Sequence, residues 1–133
     1  MSKRMTKGEF QELLGALNPV GHTVLAFADD GTAKNAKQAI LTAGFDEGDI
    51  LDYTAGELFP NLNEMMRTAS NAAGFGYEVT MMRRYMTLAS EGAGFLVVYS
   101  PDDEQTDKLK ATAVQFAAKS AVHYGRLLIE DLV

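Results

Sequence analysis

The chain contains no cysteine, which removes disulfide frames, thiolate nucleophiles and cysteine metal sites at once. A cysteine-free chain also suits a reducing compartment, so the expected location is the cytoplasm. Histidine is scarce too: His22 and His123 are the only two. No window reaches the roughly 18 apolar residues that a membrane span needs, so no membrane partner is expected. The opening Met1-Ser2-Lys3-Arg4-Met5 carries two positive charges, but Phe10, Leu13, Leu14 and Leu17 are separated by polar residues. A secretory leader needs a continuous apolar stretch there. Basic residues are adjacent only at Lys3-Arg4 and Arg83-Arg84, within a chain whose 18 acids outweigh 12 bases to leave a net charge of −6. Such a field repels phosphate backbones, and nucleic acid is not an expected partner.

What remains is an ordinary globular composition, 47% hydrophobic and 23% charged over 133 residues. That length suits one domain with its own core, spanning residues 1–133. Residues 6–17 form an amphipathic pattern with Thr6 and Glu9 as a capping box, so residues 1–21 read as a helical extension. The short apolar run Thr23–Ala28 predicts a central strand buried on both faces. A helix follows over 32–43, its stripe Ala33, Ala36, Ile40 and Ala43 closed by Gly44-Phe45. Asp49–Tyr53 predicts a charged edge strand. Residues 57–91 read as a two-helix insert; one helix bears Leu62, Met65, Met66 and Ala69, the other Val79, Met82, Met86 and Ala89. Phe95–Tyr99 predicts the third strand. Ser100-Pro101-Asp102-Asp103 opens a helix, with Ser100 as its cap, that buries Leu109, Ala113, Phe116, Ala117 and Ser120. Residues 126–131 predict a fourth strand at an edge.

This order predicts an α+β fold: a ferredoxin-like antiparallel sheet of four strands in the order 4-1-3-2, with the N-terminal helix and the insert between strands 2 and 3 as additions. The most apolar runs then lie at the centre and the charged ones at the edges. The alternative is a flavodoxin-like parallel sheet, which alternating strands and helices favour in general. In the antiparallel fold Asp29, Asp30 and His123 share one rim with the insert. His22, Ser100, Asp102, Glu130 and Asp131 share the other.

Candidate chemistry is thin. Ala28-Asp29-Asp30-Gly31-Thr32 invites comparison with haloacid-dehalogenase-type phosphatases, but the nucleophilic aspartate would fall on Ala28, so that activity is excluded. Asp29 and Asp30 suit helix capping, and with His123 they are candidate ligand-binding residues. Arg84 and Tyr85 are further candidates for gripping an anion. Met65, Met66, Met82 and Met86, with Phe10, Leu13, Leu14 and Leu17, form the candidate interface, since soft side chains suit adaptable surfaces. No residue is assigned to catalysis and none to a metal or cofactor.

Val24-Leu25-Ala26-Phe27 through Ala36, Ile40 and Ala43-Gly44-Phe45 to Asp49-Ile50, together with Leu96 through Glu104, resemble the small bacterial general stress (heat-induced) proteins. Arg84-Tyr85, Leu88-Ala89 and Gly92, with Tyr124, Leu127 and Ile129-Glu130-Asp131-Leu132, resemble a proteobacterial branch of that group. The resemblance implies a cytoplasmic, stress-linked protein and supplies no catalytic residues. The expected function is a non-catalytic, stress-associated binding or regulatory module. Homo-oligomerisation is also expected, because helices that cover one sheet face leave the other to be covered by the N-terminal helix or a second subunit. The alternatives are a small metal-dependent hydrolase or other enzyme using Asp29, Asp30 and His123, and a structural interaction domain docking through the methionine helices.

Overall fold

The computed structural model describes residues 19–58, 60, 76–126 and 128–133. Along them run β1 (His22–Phe27), α1 (Asp30–Thr42), a 3-10 turn (Glu47–Asp49), β2 (Ile50–Tyr53), α2 (Gly76–Ser90), β3 (Gly94–Tyr99), α3 (Asp103–Gln115), β4 (Ser120–Tyr124) and β5 (Ile129–Asp131). The helix expected at 6–17, with Phe10, Leu13, Leu14 and Leu17, lies outside the described residues, as does the insert segment bearing Met65 and Met66.

The strands form one sheet in the order β2-β3-β1-β4-β5, and every neighbouring pair is antiparallel. Val24 faces Val97 and Leu25 faces Leu96 across strands that run in opposite directions, so the parallel alternative is excluded. The expectation of four strands is corrected to five. Residues 126–131 do not flank β1; Ser120–Tyr124 does, and Ile129–Asp131 pairs outside it as a short edge strand.

The miscount begins at the end of α3, which stops at Gln115 instead of running on to Ser120. Ala117 adopts a left-handed φ of 52°. Its amide donates to the Val114 carbonyl, and the Ala118 amide donates to Ala113 at 2.8 Å. That bonding pattern is a Schellman stop, which usually takes glycine at the left-handed position. The chain then turns, Lys119 donates to the Ala26 carbonyl, and β4 starts. Ala117 is therefore exposed and Ser120 sits in a strand, not on the helix stripe. The start of α3 is also shifted: Asp102 is the cap, accepting from the Gln105 amide at 2.8 Å. Asp29 does the same for α1, accepting from the Thr32 amide at 2.7 Å.

Both faces of the sheet are covered by the chain's own helices. Ala33, Ala36 and Ile40 of α1 and Leu109 and Ala113 of α3 pack on Leu25, Phe27, Leu96, Val98 and Ala121. On the other face Met81, Met82, Tyr85 and Ala89 of α2 pack on Val24, Ala26, Phe95, Val97, Val122 and Tyr124. The insert thus takes the face that had been assigned to the N-terminal helix or a second subunit. All six residues of β1 are buried as a result. Gly94 sits where α1 meets β3: a Cβ there would lie 2.8 Å from the Ala33 Cβ and 2.9 Å from the Asp29 carbonyl oxygen. Only glycine lets the start of α1 press this closely on the sheet. Among the described residues no helix is long and apolar enough to cross a membrane.

Candidate functional site

Two polar places stand out, at opposite ends of β1. The first is an open groove of about 370 Å³ between α1 and the edge strand β2. Asp30, Lys34, Lys37 and Gln38 descend from α1 on one side, and Asp52, Thr54 and Glu57 line the other. Tyr53, Phe95, Leu96 and Ala33 contribute the apolar part of the lining. Helical spacing explains the first wall, because residues 30, 34 and 37–38 recur once per turn on one side of α1. Its volume falls in the range of small-molecule clefts.

The groove is electrostatically mixed. Lys37 bridges the two walls through an ion pair with Asp52 at 3.7 Å. Thr54 and Glu57 hold each other in a capping box: Glu57 Oε1 accepts from the Thr54 amide at 2.9 Å, and Thr54 Oγ1 accepts from the Glu57 amide at 3.1 Å. That box starts the helical segment at residues 55–58 and fixes where the Glu57 carboxylate stands. Burial pushes the Tyr53 phenol well above its usual range, and the nearby Glu57 and Asp52 charges add to the effect. The phenol therefore stays neutral across the physiological range.

The second place, at the other end, is a pair of buried hydroxyls flanked by a buried and a half-buried imidazole. His123 faces Thr23 across the β1–β4 pair. Thr23 Oγ1 lies 2.9 Å from His123 Nδ1 and 2.8 Å from Ser100 Oγ. Ser100 Oγ is 3.4 Å from the same imidazole nitrogen and donates to the Val98 carbonyl at 3.3 Å. Burial lowers the pKa of His123, opposed by the charges of Glu130 and Asp103. His22 stands next to Thr23 on β1, wholly buried, its ring 5.1 Å from that of Tyr99.

The two groups of sequence candidates are therefore redistributed. Asp30 does share a rim with the start of the insert, through Thr54 and Glu57. His123 does not join it. It pairs with Thr23, while Asp29 and Asp30 lie beyond Phe27, and four residues of strand span roughly 13 Å. His22 and His123, expected at opposite rims, are instead neighbours across β1 and β4, because β4 begins six residues earlier than expected and carries His123 in its body. Among the described residues no group of three histidines or carboxylates converges as a metal site would require.

The remaining candidates make contacts within the fold. Arg84 pairs with Asp131 at 3.2 Å, tying α2 to β5 on the surface. Tyr85 is buried, its hydroxyl 2.9 Å from that of Tyr124 and its ring edge-on to Phe95 at 6.0 Å. Met82 lies in the core and Met86 packs half-buried against it. Lys34, Lys37, Asp52, Tyr53 and Glu57 were not singled out from the sequence. The Lys34–Lys37 spacing and the Thr54-x-x-Glu57 box were legible there, but only the fold sets them face to face. Comparisons with family models, with curated proteins and with solved structures found no match.

Proposed function

We propose that this chain is a non-catalytic, stress-associated binding or regulatory module of the cytoplasm, and that its ligand surface is the groove between α1 and β2. The groove itself carries the reading: Lys34 and Lys37, with Asp30 on the same wall, face Asp52 and Glu57 across a cleft with an aromatic and aliphatic lining. A small polar ligand bearing both charge signs fits that arrangement, its anionic end toward Lys34 and its cationic end toward Asp52 and Glu57. The link to stress rests on the sequence resemblance to the general stress proteins. The non-catalytic reading is favoured because the acids Asp29 and Asp30 stand far along the sheet from His123, and because Thr23 and Ser100 are fully buried. The sheet is compatible with a ferredoxin-like fold extended by β5.

A thermal-shift screen of small zwitterions, nucleotides, metals and acyl compounds tests this. A ligand at a hundredfold its Kd adds about 2.7 kcal/mol to stability, a shift that is easily seen. The expected hit carries both charges, and Lys34→Glu abolishes its effect while leaving the melting temperature without ligand near that of the wild type. A shift that survives Lys34→Glu, or a hydrolysed compound in the screen, overturns the groove reading. Homo-oligomerisation belongs to the same proposal, with Val114, Leu128 and Val133 as the exposed large apolar residues among those described. Sedimentation at micromolar concentration that shows a monomer alone removes that part.

A further inference from the structure

We propose that Thr23, Ser100 and His123 form a reversible hydroxyl relay through which the folded protein takes up a proton at His123 and tightens the edge strand β5. The geometry leaves few options for the hydrogens. Thr23 and Ser100 have no exposed surface, so bulk water offers their hydroxyls no alternative partners. Each hydroxyl carries one proton and can accept others. His123 Nδ1, Thr23 Oγ1, Ser100 Oγ and the Val98 carbonyl form a chain at 2.9, 2.8 and 3.3 Å.

The hydrogens along that chain can all point toward the ring or all point away from it. With a bare Nδ1, Thr23 donates to the ring and Ser100 donates to Thr23. With Nδ1 protonated, the ring donates to Thr23, Thr23 to Ser100, and Ser100 to Val98. A charged imidazolium, which has a hydrogen on both nitrogens, satisfies the second direction and not the first. Starting from a bare Nδ1, uptake of one proton from water at that nitrogen therefore rotates two buried hydroxyls, and the Nδ1 hydrogen and both hydroxyl hydrogens keep an acceptor. No covalent bond between heavy atoms changes.

The charges around His123 give the event an output. Glu130 of β5 is its cross-strand partner and attracts the imidazolium, as does Asp103 of α3; His22 of β1 repels it. When the ring charges, a cation faces the Glu130 carboxylate across the β4–β5 pair, and β5 is only three residues long. Opposite charges on facing strand positions stabilise the pairing. The device lies at the far end of β1 from the groove and does not depend on it.

Nitrogen-15 NMR of the full chain between pH 5 and 8 reads the relay directly. On acidification, His123 acquires signals for two protonated nitrogens within the folded protein, and amide protection of Ile129–Asp131 rises relative to that of β1. In Thr23→Val the Nδ1 hydrogen loses its acceptor at 2.9 Å and keeps only Ser100 at 3.4 Å, so His123 titrates at lower pH than in the wild type. Glu130→Gln lowers the titration as well and cancels the gain in β5 protection. Should Thr23→Val fail to fold, Ser100→Ala replaces it: Thr23 then lacks its acceptor in the charged state, and the same downward displacement follows. A His123 titration unmoved in the folded hydroxyl variant, or β5 protection that falls or stays level against β1 in the wild type, overturns the proposal.

Discussion

His22 shows how a single side chain links burial to pH. Its ring is 1% exposed, and its Nδ1 donates to the Val20 carbonyl at 3.1 Å. Burial lowers its pKa below the ordinary 6.5, although hydrogen bonds to Val20 and Pro19 and the charge of Asp49 oppose the shift. The folded state therefore binds the proton less readily than the unfolded chain. Stability is fully present above the unfolded value near 6.5 and declines as pH falls below it toward the folded value. His123 acts in the same direction through its own burial. In His22→Gln, urea midpoints measured between pH 5 and 8 should fall less steeply on the acid side than in the wild type, because one of the two imidazoles whose pKa burial lowers is gone. An acid limb as steep as that of the wild type would assign the loss elsewhere. Ser100 is the other residue whose role changed. It looked like a helix cap, but the capping oxygen belongs to Asp102, and the Ser100 hydroxyl turns inward to Thr23.

At the scale of elements, the helix ends decide the topology. α1 stops at Gly44, where φ is 110° and the Phe45 amide reaches back to Ile40. α2 stops at Gly92, where φ is 92° and Ala93 donates to Leu88 at 3.0 Å. Both stops were legible because glycine marks the left-handed position. α3 ends with the same pair of hydrogen bonds but places Ala117 there, so nothing in Phe116-Ala117-Ala118-Lys119 announces it. A left-handed non-glycine residue costs roughly 1–2 kcal/mol. Ala117→Gly should therefore raise stability by about 1 kcal/mol once the added freedom of the unfolded chain is set against that relief. Chemical denaturation would show this as a higher midpoint at an unchanged slope. An equal or lower midpoint would mean that the strain at Ala117 is already relieved by its surroundings.

For the whole molecule, the governing fact is a sheet covered on both sides. α2 closes the second face with Met81, Met82, Tyr85 and Ala89, so the methionines of this helix are core residues before they are anything else. Removing a buried methionine to alanine costs about 2–5 kcal/mol through lost transfer energy and the cavity left behind. Met82→Ala should lower stability by that amount in a urea titration. If methionine 82 served another molecule instead, the loss would depend strongly on protein concentration; an effect independent of concentration supports the core role. The same coverage explains why β1 has no polar face and why its one hydroxyl, Thr23, needs internal partners.

Much of this was written in local pattern. Apolar runs too short for helices marked β1 and β3, Asp29 marked the cap of α1, and Gly44 and Gly92 marked the stops of α1 and α2, because each signal depends only on neighbouring residues. Tertiary structure alone decided that β4 begins at Ser120, since an alanine in a left-handed turn carries no local mark. That one boundary moved His123 from the side of Asp29 and Asp30 to the side of His22, Thr23 and Ser100. It also fell to the fold to bring Lys34 and Lys37 opposite Asp52 and Glu57, because charges on a helix and on a strand meet only after the sheet has chosen its order.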